Sequence, residues 1–558
     1  YVGERYLKFR EGGYWIKAGA DEPENWLGRA FGLDDWEAKK RQVDYLASVG
    51  VNSIYVMTHT LGGDGNDVWP WAGSTPEEAK RYADRFDPAK LAKWRDFFEY
   101  AQRKGLVIHL VLEDDSAWTG YDHTLYYRQI VARFGDLPAL YFNLCEEYNE
   151  SYTLSEALAY LDLLGTLDPY DHPRAIHNVN VPRPDYVDAQ SVQMSSIQTL
   201  PLKPETLNRL AGWWVAAPLA RNRPPLVVSF DEARPAQSRG SWWAVFLGGG
   251  VWESILPVQA GYSEFGPQWR QLGLARRFME SIPAHRMFPA NHLVTAGKAF
   301  CLARPGEVYA LYLPAGGEVT LELPAGNRYR LQWFDPRAVA VTPWTEAVEI
   351  AGGSQTLAAP GPGDWAARLE KVAGETAAAP LAVDVVAFSS TNQPVSIRLP
   401  LLPEETAAGA EYVILSAPRF GRLSGKPPEV TYTPRTGFTG QDRFTWQART
   451  PAGESRAAAV RIFCNAAGAN RPPKVYNQTV RVRHGETVRF LLRYSDRDGP
   501  GPYGVAIVKD PEHGTVKTLD NEAVYTPQEG FAGTDAFEWR ISDGMDQSET
   551  ARVRIRID

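Results

Sequence analysis

Short apolar runs alternate with amphipathic stretches through the first half of the chain. Eight runs between residues 1 and 287 have the length and composition of strands: Trp15–Ala18, Ser53–Thr58, Val107–Leu112, Leu140–Leu144, Ala175–Val179, Ala189–Met194, Leu226–Phe230 and Val251–Ile255. The stretches between them repeat at helical spacing. In Asp34–Ser48 the residues Trp36, Val43, Tyr45 and Leu46 recur on one face before Gly50 stops the pattern. Pro88–Arg103 does the same with Leu91, Trp94, Phe97, Phe98 and Ala101. Apolar strands separated by helices indicate a parallel sheet covered on both faces. Eight of them in this length predict a (β/α)8 TIM barrel over residues 1–287.

Beyond residue 287 the pattern changes. Val308–Leu313, Val319–Leu323, Tyr329–Phe334 and Glu346–Ala351 alternate apolar and polar positions between Gly- and Pro-rich turns. That predicts an antiparallel β-sandwich domain over residues 288–372. The remainder contains an internal repeat. Tyr432-Thr433-Pro434 returns as Tyr525-Thr526-Pro527, and Gly437-Phe438-Thr439-Gly440 as Gly530-Phe531-Ala532-Gly533. Asp442, Phe444 and Trp446 return as Asp535, Phe537 and Trp539, and every pair is 93 positions apart. A strand-rich unit of this size predicts two Ig-like repeats, residues 373–464 and 465–558, joined near Asn465–Pro473.

A chain of 558 residues exceeds what one hydrophobic core supports, in keeping with four domains. The 18 Trp and 26 Tyr exceed the ordinary needs of packing, and flat rings of this kind stack on sugar faces. A net charge of −8 without any basic run argues against a nucleic-acid partner. No apolar run has the length of a membrane-spanning helix. The chain opens at Tyr1 without a charged or apolar leader segment. Cys145, Cys301 and Cys464 show neither metal-ligand spacing nor a disulfide framework.

Groups at the C-terminal ends of barrel strands face the active site, so the carboxylates there carry the functional reading. The fourth predicted strand runs into Cys145-Glu146-Glu147-Tyr148-Asn149-Glu150 and the seventh into Ser229-Phe230-Asp231-Glu232. These strands lie across the barrel mouth from each other. Cleaving a glycosidic bond needs two such carboxyl groups, one to protonate the leaving oxygen and one to attack or to activate water. Strand parity groups Glu147 with Asn143 and Cys145, and Glu146 with Leu144, which selects Glu147 as acid/base opposite Glu232. Substrate-binding groups are expected among Asn143, Glu146, Gln193, His59, His109 and His177. Further ones are expected among the acids Asp21, Glu24, Glu113 and Glu253 and the rings Trp26, Trp118 and Trp252. A histidine near a barrel layer is as readily a satisfied core residue, and many of these tryptophans would simply pack.

Several of these runs resemble a known family. Ala18-Gly19-Ala20-Asp21-Glu22-Pro23-Glu24-Asn25-Trp26-Leu27 looks like the first-strand signature of a bacterial family of (β/α)8-barrel glycosidases. Phe142–Asn149 resembles its fourth-strand Trp-Asn-Leu-Gly-Glu-Glu-Asn motif. Asp231-Glu232 and Gly248-Gly249-Gly250-Val251-Trp252-Glu253 resemble its seventh and eighth strands. That family is related to the clan of retaining glycoside hydrolases with acid/base after strand four and nucleophile after strand seven. The resemblance implies these roles for Glu147 and Glu232. It continues through Gly306–Pro314 and Trp333-Phe334-Asp335-Pro336, which look like a β-domain that bears the label collagen-binding. The tandem repeats resemble cadherin-like modules of secreted bacterial proteins, which implies an extracellular, cell-surface or periplasmic address. Phe142, Cys145 and Tyr148 depart from the family pattern, and bear on the identity of the sugar more than on the reaction class.

The expected activity is hydrolysis of β-glycosidic bonds in a plant or algal polysaccharide or oligosaccharide, by a monomer that needs no cofactor for catalysis. The rival is a catalytically degenerate barrel acting as a carbohydrate-binding or adhesion protein, which has no need to keep both glutamates. A lyase working through Tyr, His or Lys has no motif here. In the second repeat Asp496, Asp498 and Asp543 offer carboxylates for a structural calcium ion, though calcium takes six to eight oxygens and this set is incomplete.

Overall fold

The computed structural model describes residues 2–3, 5–21, 26–28, 35–63, 66–115, 117–179, 184–187, 189–199, 202–220, 223–233, 239–255, 266–338, 343–373, 380–402, 407–451, 453–465, 471–496, 504–519, 522–528, 530–542 and 547–557. Eight parallel strands close into a barrel in chain order. They are β1 (Ala18–Asp21), β2 (Ser53–Met57), β3 (Val107–Glu113), β4 (Leu140–Cys145), β5 (Arg174–Val179), β6 (Met194–Thr199), β7 (Val227–Ala233) and β8 (Val251–Ser254). β8 pairs back onto β1.

Two strands lie later than the hydrophobic pattern predicts. β1 begins at Ala18, where the expected run Trp15–Ala18 ends; β6 begins at Met194, where Ala189–Met194 ends. In each case the apolar signal belongs to the approach. Trp15 is part of a small sheet (Val2–Gly3, Tyr6–Lys8, Tyr14–Trp15) and packs on Tyr141. β6 itself carries Ser195, Ser196 and Gln198, which dilute its hydrophobic pattern.

Among the described residues seven longer helices alternate with the strands: α1 (Trp36–Val49), α2 (Pro88–Arg103), α3 (His123–Phe134), α4 (Leu154–Leu167), α5 (Pro204–Ala220), α6 (Arg239–Leu247) and α7 (Gly266–Glu280). Their starts are written in the sequence. Asp35, Asp87 and Asp122 accept backbone N–H bonds in the first turns of α1, α2 and α3, and Thr153 with Glu156 forms a capping box on α4. Gly50 closes α1 with a left-handed φ of 91°. The apolar stripes of these helices cover the outer faces of the strands.

The barrel interior is largely polar. Tyr55, Met57 and Val111 form a small apolar cluster inside it, while Lys17, Ser53, His109, Asn143, Ser229, Asp231 and Glu253 are all buried. Glu253 lies across Gly19, where an added Cβ would come 2.2 Å from Glu253 Cγ.

The next domain is an antiparallel sheet of β9 (Phe300–Arg304), β10 (Val308–Leu313), β11 (Gly316–Phe334), β12 (Val348–Pro362) and β13 (Trp365–Ala373), with shorter strands at its margins. The expected strands Val319–Leu323 and Tyr329–Phe334 are two halves of β11. One face packs on the barrel, where Trp243 of α6 stacks flat on Tyr312 at 5.0 Å. Arg239, at the start of α6, forks onto Asp364 with contacts of 2.5 and 2.6 Å, and Tyr312 donates to the same carboxylate. The other face holds a separate core around Tyr309, Leu311 and Tyr329.

Each C-terminal repeat pairs a three-stranded sheet with a larger one. The larger sheets contain β14 (Val385–Ser390) and β15 (Ala458–Asn465) in the first repeat. In the second they contain β16 (Gln478–Val482), β17 (Gly533–Ser542) and β18 (Ala551–Ile557). The repeated residues explain themselves. Tyr432 donates to Asp442, which also accepts from Arg419 and Phe420 N–H; Tyr525 and Asp535 repeat this with Glu512 and His513. Trp446 and Trp539 fill the two cores. Of the expected calcium ligands, Asp498 and Asp543 lie outside the described residues; Asp496 follows the strand Tyr494–Ser495. Among the described residues no helix is long and apolar enough to cross a membrane.

The crowding at Gly19 generates a prediction. Gly19→Ala displaces Glu253 from its partners and is expected to cost about 2–3 kcal/mol. Chemical denaturation measures this, and an unchanged midpoint would contradict the packing described.

Candidate active site

The site is built upward from a buried ammonium. Lys17 Nζ lies 2.7 Å from Asp231 Oδ1 and 2.6 Å from Glu253 Oε2, and donates to Ser229 Oγ at 2.9 Å. Lys17, Asp231 and Glu253 are wholly buried. Glu253 also accepts from Ser53 Oγ at 2.7 Å and from His109 Nδ1 at 2.8 Å. Asn143 Nδ2 donates to His109 Nε2 at 3.1 Å, which completes a chain from β1 through β8 and β3 to β4. Burial, then the Lys17 charge, holds the His109 pKa far below its usual range, so the ring is a neutral imidazole. Burial raises the pKa of Glu253 and the Lys17 ammonium opposes that rise.

Above this layer β7 carries a bulge. Phe230 pairs with Ile197, yet Glu232 pairs with the next residue, Gln198, so Asp231 is the extra residue. In a regular strand Asp231 and Glu232 would point to opposite faces. The bulge lets Asp231 reach down to Lys17 while Glu232 meets Gln198, whose Nε2 donates to Glu232 Oε2.

β4 ends at Cys145, and Glu147 occupies a left-handed conformation (φ 35°, ψ 53°) before the turn Tyr148–Glu150. A non-glycine residue adopts this at a cost of about 1–2 kcal/mol. Its N–H donates to His177 Nδ1 at 3.4 Å, and its carboxyl interacts with Glu150 and Gln198. Burial first, then the Glu150 bond, pushes the Glu147 pKa up to about 7, with the Glu232 charge raising it further and Gln198 lowering it. Gln198 donates to Glu232, and its amide and the Glu232 charge both act on Glu147. Burial raises the pKa of Tyr55 well above its usual value, and the charges of Glu146, Asp21, Asp231 and Glu232 raise it further. His177 is buried, and its Nε2 has no protein partner.

Several expected binding residues lie elsewhere. Gln193 precedes β6 and accepts from Arg174 N–H at 3.0 Å; the glutamine at the mouth is Gln198, a consequence of the later start of β6. Trp26 is buried against Phe97, and Trp252 is buried and donates to Ser254. Trp69 and Trp71, also adjacent to the predicted mouth, are buried. His59 sits among Trp71, Tyr121 and Tyr126, bonded to the Trp118 carbonyl, with burial lowering its pKa to about 4. Trp118 is part of that ring cluster. Glu113 is wholly buried and accepts from Tyr127 and Tyr152, and burial pushes its pKa up to about 7. His109, Asn143 and Glu253 form the layer beneath the mouth. Glu24 lies outside the described residues.

Two groups of described residues have metal-compatible spacing: His109, Asp231 and Glu253, and Asp115, Glu147 and Glu150. The Lys17 ammonium already bonds two members of the first. The hydrogen bond between Glu147 and Glu150 accounts for the closeness of the second.

Residues 377–463 and 470–556 each match a family model described as a bacterial Ig domain. No curated protein matches the chain. Among solved structures, a candidate glycoside hydrolase from Bacteroides vulgatus aligns at TM-score 0.53 and 16% identity, covering 66% of this chain and 81% of that one. A family 5 glycoside hydrolase from the same organism aligns at 0.51 and 11%, covering 66% and 92%. A further glycoside hydrolase aligns at 0.52 and 12%, covering 67% and 96%. The likeness is one of fold.

Glu113 yields a pH prediction. Its pKa rises from 4.5 unfolded to about 7 folded, so the stability present below 4.5 is lost as pH rises through 7. The melting temperature of Glu113→Gln, relative to the parent, should climb between pH 4.5 and 7.5. A gap that stays constant with pH would contradict the assignment.

Proposed function

We propose that the chain is a retaining glycoside hydrolase that cleaves β-glycosidic bonds in a polysaccharide or oligosaccharide, with Glu147 as acid/base and Glu232 as nucleophile. The observation that carries this is the pair of carboxyl groups at the ends of β4 and β7, with Gln198 donating to Glu232 and Glu147 carrying a raised pKa. Double displacement needs the two carboxyl groups about 5–5.5 Å apart, whereas inversion needs a wider gap for water. The two Bacteroides vulgatus proteins are described as glycoside hydrolases, which agrees with this reading.

In the first step Glu232 attacks the anomeric carbon, and Glu147 gives its proton to the departing oxygen. A pKa of about 7 keeps that proton available near neutrality. Esterification removes the Glu232 charge, one of the causes that raise the Glu147 pKa, so Glu147 becomes a stronger acid and its carboxylate is ready as a base. It then deprotonates the water that releases the sugar with net retention. Asn143 Oδ1 and His177 Nε2, both buried without protein partners, are available to sugar hydroxyls. The tandem Ig domains fit a secreted or cell-surface enzyme.

Hydrolysis across plant and algal polysaccharides and aryl β-glycosides tests this. Glu147→Gln should lower kcat by about 10²-fold or more, and Glu232→Gln by at least as much. In the parent, kcat/KM should fall on the alkaline side of about pH 7, and Glu147→Gln should lack that limb. Tight glycan binding without cleavage, unaffected by either variant, would instead identify a carbohydrate-binding protein.

A further inference from the structure

The two repeats superimpose in register, and the outer face of their larger sheets differs in a directed way. In the first repeat Val386 pairs with Arg461 and Phe388 with Phe463 across β14 and β15. Val386, Phe388 and Phe463 are buried together against Trp213 of α5, so this face docks on the barrel. In the second repeat the same ladder, 93 positions later, pairs Thr479 with Arg554 and Arg481 with Arg556 across β16 and β18. Arg481, Arg552, Arg554 and Arg556 are all exposed. The aromatic pair Phe388 and Phe463 has become the arginine pair Arg481 and Arg556, and Ala459 has become Arg552.

This array has no internal counterion set. Among the described residues none of these four arginines forms an ion pair; Glu538, opposite Arg552, is the neighbouring acid on β17. Like charges directly opposite on adjacent strands disfavour the sheet. Protection of an exposed edge explains Arg481, since β16 is an edge strand. It leaves Arg552, Arg554 and Arg556 unexplained, because β18 lies between β16 and β17. Alternate residues of a strand repeat every ~6.7 Å, so the three guanidinium groups of β18 form a row about 13 Å long. Beside it a cleft of about 900 Å³ is lined by Arg493, Arg552, Arg554, Gln478 and Leu491. A linear row of planar, bidentate cations fits a linear chain of rings that carry carboxylate or sulfate groups.

We propose that the outer face of the second repeat binds an acidic polysaccharide through Arg481, Arg552, Arg554 and Arg556. The choice of a glycan rests on the glycosidase reading of the barrel; the charge complementarity does not.

The test uses the full chain carrying Glu232→Gln, so that binding is read without hydrolysis. Affinity electrophoresis would be run through polygalacturonate, dextran sulfate and neutral dextran, with a single-stranded oligonucleotide as a competing polyanion. The expected result is retardation by at least one acidic polymer, weakening with added salt, and none by neutral dextran. Replacing the four arginines with threonine should weaken binding at least tenfold, and replacing them with lysine should restore part of it. The inference is overturned if neither acidic polymer retards the chain, if the threonine and lysine variants bind like the parent, or if the oligonucleotide binds more tightly than both polymers. Binding at this face by a chain whose parent cleaves no glycan would remove the glycosidase reading and leave the arginine face standing. Cleavage without such binding would do the reverse.

Discussion

Burying Asp231 and Glu253 side by side requires a cation between them, and Lys17 supplies it at 2.7 and 2.6 Å. An unpaired carboxylate in this interior would cost several kcal/mol, and removing one partner of such a set typically costs about 3–5 kcal/mol. The rest of the mouth follows from that contact. Asp231 is the bulged residue of β7, so its attachment to Lys17 fixes the bulge, and the bulge turns Glu232 toward Gln198. Glu253 can take its place because residue 19 is glycine. A charge pair at the barrel centre thus sets the direction of a side chain at its rim.

Above that layer, two carboxyl groups are placed in unlike settings. Glu147 stands after a strand end, half-buried, bonded to another carboxyl at Glu150 and close to the Glu232 charge, all of which favour its protonated form. Glu232 sits on a strand and accepts from the Gln198 amide. The raised pKa of Glu147 is what the acid role proposed for it requires. The strained backbone of Glu147 belongs to the same arrangement, because the left-handed residue begins the turn between β4 and α4.

Much of the fold was legible because the helices and most strands keep their expected periods. α2 runs over Pro88–Arg103 as its pattern predicts, and the 93-residue repeat identifies the tandem modules directly. Glu147 and Glu232 stand at the ends of β4 and β7 as the strand order predicts, and the surroundings of the two were blurred for three physical reasons. Polar interior positions hid the true start of β6, which put Gln193 where Gln198 stands. Parity assumes a regular strand, so the bulge that turns Glu232 inward leaves no mark in the pattern. Closeness to a strand end does not reveal which way a ring faces, so Trp26 and Trp252 read as mouth residues and are buried. Lys17 was the available signal not used: a lone charge in Trp15-Ile16-Lys17-Ala18 is out of place unless something buried needs it. The repeats carry a similar lesson, since their inner faces are alike while the outer faces of their larger sheets diverge with what each must meet.

The central claim is that Glu232 forms a covalent bond to the sugar during turnover. Trapping with 2-deoxy-2-fluoro glycosides of the sugars the protein cleaves, followed by intact-mass measurement and peptide mapping, tests it directly. The account predicts one adduct per chain, on the peptide that contains Glu232. An adduct on another carboxylate, or turnover with inverted product and no adduct, would contradict it.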